Sequence, residues 1–181
     1  MITAGSISFI LYFVTENLDA LDYWSPTTTY VLVVVVFIAS PVPGNVAGGW
    51  WVQNKCGGYM NYGVTLHSSF ISMAISAVGI FALPLMVWMG NKYLYMVAFY
   101  ILLFFGGAPT PAINGIAVSL LPEATHAGSG IQFALQNLGK VIIPSLGGVI
   151  IDWMGEVVAG FNVTLCLFGA ASALSSYLAW R

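Results

Sequence analysis

Six long apolar runs, separated by short polar or glycine- and proline-marked connections, account for almost the whole chain. A membrane-crossing helix needs about 20 predominantly apolar residues, and residues 5–23, 28–52, 63–89, 93–121, 126–151 and 157–180 each predict one. The runs are apolar on all sides and exceed the roughly 10 residues of a barrel strand, so helices are expected rather than a β-barrel. The first run is the least apolar, because it carries Glu16, Asp19 and Asp22. Tyr23, Trp24 and Pro26 then mark a membrane interface and a stop. The second run centres on Tyr30 to Phe37, with Pro41 and Pro43 in its second half. Further breaks are expected at Pro109 and Pro111 and at Pro144. Lipid tolerates such breaks where neighbouring helices or a cavity satisfy the freed carbonyls. No linker or low-complexity tract divides the chain, so an all-α integral membrane fold is predicted: one transmembrane domain over residues 1–181, with about six helices.

Composition sharpens this. Of 181 residues, 59% are hydrophobic and only 6% charged, against roughly 45–50% and about 25% in soluble domains. So few charges cannot cover a water-facing surface, and the lipid bilayer is the expected surroundings of a multi-pass protein. A net charge of −2 gives no reason to expect nucleic acid as a partner. Cys56 and Cys166 stand apart without a His/Cys pattern, so they read as free apolar cysteines. The first residues lack the basic stretch of a signal peptide. Six spans put Lys55 and Arg181 on one side and Lys92 on the other with Asp22, Asp152 and Glu156. The excess of basic residues then makes the Lys55 side cytoplasmic.

Ionisable groups inside spans are the first functional candidates. Lys140 falls near the middle of the fifth run, where a charge costs about 2.5–3.5 kcal/mol on insertion scales. It is expected to face the bundle interior. Glu16 and Asp19, three apart on one helical face, are candidate counter-ions. Gln132, Gln136 and Lys140 follow one another at four-residue steps, a polar stripe that resembles a pathway wall; Asn114 adds another amide. The alternatives are a structural ion pair, a snorkelling lysine and interhelical hydrogen bonding. His67 reads as a helix-contact residue, and the sequon at Asn162 falls at the start of a span. No Ser/His/Asp arrangement, metal-ligand cluster or phosphate loop is present in the sequence, so no enzyme, metal or cofactor is expected.

The stretch Gly44-Asn45-Val46-Ala47-Gly48-Gly49-Trp50-Trp51-Val52-Gln53-Asn54-Lys55-Cys56-Gly57-Gly58 ends a span in small residues and closes it with a polar, basic turn. Gly48 and Gly49 would let helices approach closely. This stretch resembles the signature loop of major facilitator superfamily transporters, with Lys55 as its basic residue and Gly57-Gly58 as its turn. Asn54, or Gln53 under a one-residue shift, stands where that family carries Asp. Tyr23-Trp24-Ser25-Pro26 resembles the end of the seventh helix of Spinster-like members. Phe104 to Gly115 resembles their tenth helix, and Pro122 to Gly130, with His126 near the usual Arg, their cytoplasmic turn. Asn137-Leu138-Gly139 with Pro144, Gly147-Gly148 and Asp152 resembles the eleventh helix and its exit.

The resemblance implies helices seven to twelve of a twelve-helix carrier. It also implies alternating access around a small organic or lipid-like solute, with Gly49, Asn54, Lys55, Gly57 and Gly58 as a gating loop. Lys140, Gln136, Gln132, Glu16, Asp19 and Asn114 would line the substrate pathway. A carrier of this kind needs a partner, an N-terminal six-helix half or another membrane chain. The rival expectation is a non-transporting structural or assembly subunit of a larger membrane complex, favoured by loss of the loop Asp.

Overall fold

The computed structural model describes residues 2–120 and 125–180, with side chains for 4–119 and 129–178. Glu123, Arg181 and the His126 side chain lie outside the described residues. Every element among them is helical: α1 (Ile2–Ala20), α2 (Pro26–Ala39), α3 (Pro41–Asn54), α4 (Tyr62–Trp88), α5 (Lys92–Gly107), α6 (Thr110–Leu120), α7 (Thr125–Met154) and α8 (Val157–Trp180). Five helical runs, 26–54, 62–88, 92–119, 129–154 and 157–178, are long and apolar enough to cross a membrane, consistent with a multi-pass membrane protein.

Two of these runs are broken helices, and proline chemistry explains where. Pro41 and Pro43 carry no N–H, so the carbonyls four residues earlier, Phe37 and Ala39, lose their helical donors. The turn between α2 and α3 is held instead by Ser40, whose Oγ donates to the Val36 carbonyl at 2.6 Å and whose N–H reaches the same oxygen at 3.0 Å. Pro109 and Pro111 part α5 from α6 in the same way. The break expected at Pro144 is absent: α7 runs through it, as α4 runs through Pro84. Pro144 is buried, and its helix continues unbroken despite the lost hydrogen bond, as packed surroundings allow.

The chain crosses back and forth, and contacts at both ends fix the order. At one end Lys92 Nζ, opening α5, donates to the Tyr23 carbonyl at 3.2 Å and lies over the Trp24 ring at 5.4 Å. At the opposite end the Tyr62 hydroxyl, opening α4, donates to the Ser119 carbonyl at 3.5 Å. Lys55 and Lys92 therefore sit at opposite ends of the bundle, as the six-span pattern requires.

The core is built around α1. Phe9, Ile10, Val14 and Leu18 pack with Ile80 and Leu83 of α4, Tyr95, Phe99 and Leu102 of α5 and Phe161 and Leu165 of α8, all fully buried. The outside is as apolar as the inside: Val31, Val34, Val35 and Ile38 of α2 each expose more than half their surface. Water would not tolerate such a surface on a chain this size, whereas lipid would. Three buried hydroxyls are satisfied within their own helices, Ser69 by Thr65, Thr164 by Gly160 and Ser176 by Ser172, whereas Ser76 of α4 donates across to the Leu102 carbonyl of α5 at 3.1 Å and Thr29 Oγ1 is buried without a partner.

Close helix contacts are set by glycine. A β-carbon on Gly44 would overlap the Phe104 carbonyl oxygen, and one on Gly48 the Ala108 carbonyl oxygen. One turn apart, these two glycines bring α3 onto α5 with a Cα hydrogen aimed at each carbonyl, contacts of about 0.5–1 kcal/mol each. Gly49, expected to share this role, does not: a β-carbon there would stand 3.7 Å from Pro111, an ordinary contact.

Candidate functional site

The polar stripe of α7 begins about two turns into the helix, at Gln132. Gln132, Gln136 and Lys140 lie on the side of α7 that, farther along, packs on α1 through Gly139, Ile143 and Gly147. Gly5 of α1 meets Gly139 and Ile143, and Phe9 meets Gly147, so α1 and α7 run parallel in contact. The first half of α7 therefore lies level with, or beyond, the start of α1. Its stripe is flanked instead by α6, and Gln132 Nε2 donates to Asn114 Oδ1 across that contact. Gln132, Gln136 and Asn114 are half-buried, and Lys140 is exposed. The Gln132 carbonyl oxygen, Oε1, is buried with no hydrogen-bond partner. The result is a polar wall, two helices wide, ending in a cation half-way along α7.

The expected counter-ions are elsewhere. Lys140 stands beside Gly139 and hence level with Gly5, whereas Glu16 lies 11 residues further along α1. At 1.5 Å per residue that separates them by about 16 Å along the helix axis, and Asp19 by about 21 Å. Neither carboxylate reaches Lys140. Nor does Lys140 face the packed interior, because α1 leaves it exposed. Glu16 is exposed one turn beyond the exposed Tyr12, and Asp19 is half-buried with Oδ1 buried and unpartnered. The pathway residues thus fall into two groups at different depths: Asn114, Gln132, Gln136 and Lys140 in one, Glu16 and Asp19 in the other.

The loop between α3 and α4 has the geometry its sequence suggests. Gly57 and Gly58 take φ of +78° and +86°, a left-handed backbone that L side chains rarely adopt. Gly58 N–H returns to the Val52 carbonyl at 3.0 Å, and Thr65 Oγ1 donates to the Gly58 carbonyl at 3.1 Å, tying the turn to the first turn of α4. Lys55 is exposed at the C-cap of α3. Asn54 donates to the Trp50 carbonyl of its own helix at 2.9 Å, a local use unlike that of a charged gate.

No protein-family model, curated protein or solved structure matches the chain. The likeness to major facilitator transporters accordingly rests on the residues quoted above.

Two features had no signal in the sequence. Asn17 of α1 donates to the Tyr95 hydroxyl of α5 at 3.5 Å in the fully buried core, with Asn17 Oδ1 left over. A lone Asn in an apolar run does not announce its partner 78 residues away. The second is a groove of about 470 Å³ between α3, α4 and α5, lined by Trp51, Lys55, His67 and Ser72 among others. Cys56, buried and free, also borders it. Among the described residues no three His, Cys, Asp or Glu side chains cluster as metal ligands would.

Proposed function

We propose that the chain is the C-terminal six-helix half of a major facilitator-type carrier, moving a small organic or lipid-like solute across a membrane by alternating access. The observation that carries this reading is the polar wall of Asn114, Gln132 and Gln136 ending in the exposed Lys140. A cation half-way along a 30-residue span costs about 2.5–3.5 kcal/mol or more when lipid surrounds it. The wall therefore calls for water and a covering set of helices, which an N-terminal half or a second membrane chain supplies. Lys140 would meet an anionic or zwitterionic group of the solute, with the amides of Gln132, Gln136 and Asn114 offering donors and acceptors beside it. The proline breaks at 41–43 and 109–111 give the α2–α3 and α5–α6 spans places to bend during rocking.

A second reading, a structural or assembly subunit of a larger membrane complex, draws on Asn54. Its side chain is spent on the Trp50 carbonyl, and no acidic group is available at that position to gate the loop. In that case the same polar wall would be a permanent helix–helix interface.

Accessibility separates the two. Gln136→Cys, in a chain whose Cys56 and Cys166 are replaced by Ala, is treated in native membranes with a membrane-impermeant maleimide applied from each side in turn. A carrier exposes this position to both sides in alternation, so labelling from both is expected. Protection from both sides would mark a static interface and overturn the carrier reading.

A further inference from the structure

We propose that the outer face of α4 is a binding site for one anionic two-chain phospholipid drawn from the surrounding bilayer, with its headgroup at Lys55 and its acyl chains on either side of Ile71 and Ile75. Two apolar grooves flank this helix. The first, about 470 Å³, runs between α4 and the α3–α5 pair past Trp51, Ser68, Ser72 and Phe105. The second, about 510 Å³, runs between α4 and α8 past Phe70, Ala74, Val78, Phe81 and Tyr177. Ile71 and Ile75 line both, so the grooves share one wall and lie side by side.

Depth and charge fit that occupant. From Val64 to Ile75 the first groove follows α4 for about 16 Å, and from Phe70 to Phe81 the second follows it for about 16 Å, starting about 9 Å deeper. Half the hydrocarbon thickness of a bilayer is about 15 Å, so each groove is one leaflet long. Their shallow end is the end that carries Lys55, exposed at the C-cap of α3 and lining the first groove. An ammonium at the headgroup level beside two chain-length grooves is complementary to a phosphodiester on a diacyl backbone. The serines at 68 and 72 add hydroxyl groups under it.

The site is separate from the polar wall. α4 packs on α5, α8 and α6, whereas α7 packs on α1, α8 and α6, which leaves α4 on the other side of the bundle. Ile71 and Ile75 are exposed there. The inference needs only that the chain sits in a bilayer, and it stands or falls independently of transport.

The test uses the purified intact protein, stripped of lipid in mild detergent, with its thermal midpoint followed as lipid is added. Dioleoyl-phosphatidylglycerol should stabilise it at lower concentration than dioleoyl-phosphatidylcholine, and the single-chain lysophosphatidylglycerol should be weaker than its two-chain parent. Glycerol 3-phosphate, the headgroup without chains, should have no effect. Lys55→Gln should weaken phosphatidylglycerol by about fivefold and leave phosphatidylcholine unchanged. Ala74→Trp, filling the second groove at an exposed position, should reduce the two-chain lipid to the level of the single-chain one. Equal potency of the two dioleoyl lipids on the wild type, or an undiminished preference in Lys55→Gln, would overturn the headgroup assignment. Equal potency of glycerol 3-phosphate and phosphatidylglycerol would overturn the lipid. Native mass spectrometry of the wild type, which should retain one phosphatidylglycerol per chain, reads the same site without any variant; retention of none would overturn it.

Discussion

Gly48 lies against the Ala108 carbonyl with no room for a β-carbon between them, and Gly44 stands in the same relation to Phe104 one turn earlier. The atoms in the way are backbone, so neither can swing aside. Gly48→Ala should therefore push α3 off α5 and lower stability by about 1–3 kcal/mol, the range for overpacking a close contact. Gly49→Ala, one residue on, meets only Pro111 at 3.7 Å and should be close to neutral. Thermal unfolding of both variants in one detergent checks the contrast, and an equal loss in the two would contradict it.

The Asn17–Tyr95 pair gives a second prediction. Both residues are fully buried, and the Asn17 amide nitrogen donates to the Tyr95 hydroxyl. Tyr95→Phe should cost about 1–3 kcal/mol, because it strands a buried amide in an apolar core. Adding Asn17→Leu should recover much of that loss, since the stranded group is then gone. Thermal midpoints of the single and double variants decide it. A double variant no more stable than Tyr95→Phe would show that the amide has found another partner.

Topology can be read by labelling. Lys55 and Lys92 sit at opposite ends of the bundle, Lys92 being tied to Tyr23 and Trp24. With Cys56 and Cys166 replaced by Ala, Lys55→Cys should react with an impermeant maleimide only from the cytoplasm and Lys92→Cys only from the other face. Reaction of both from one side would remove a span from the order α1 to α8.

Span boundaries were legible because membrane helices are written in long apolar runs, and the six predicted runs fall within a few residues of the helices and broken helices found. The turn at Gly57 and Gly58 was legible too, since adjacent glycines after a helix end suit a left-handed backbone. Proline positions were less informative. Pro41 and Pro109 end helices while Pro84 and Pro144 do not, because the outcome depends on what packs against the freed carbonyl. Which glycine touches a neighbour was equally hidden: Gly48 and Gly49 differ by one residue, about 100° around the helix. The candidate site was legible as a stripe, whose four-residue spacing holds, but not as a pairing. Spacing along α7 says nothing about the depth at which α1 begins, and that depth separates Lys140 from Glu16.

That separation yields the last prediction. Were Lys140 paired with Glu16, removing either charge would strand the other and cost about 3–5 kcal/mol, and the double change would recover it. The parallel contact of α1 and α7, with Gly5 on Gly139, instead leaves the two about 16 Å apart along the axis. Lys140→Met should then be neutral or stabilising, since it removes a cation from mid-span without orphaning a carboxylate. Glu16→Gln should likewise be tolerated. The double variant should equal the sum of the singles within about 0.5 kcal/mol, as sites more than 7–10 Å apart usually do. Thermal midpoints of the four proteins close the cycle. A coupling well above that limit would bring Glu16 to Lys140 in the native membrane and require α1 to slide along α7 by roughly three turns, a shift that would pull Phe9 out of its seat on Gly147 and open the core at Phe161.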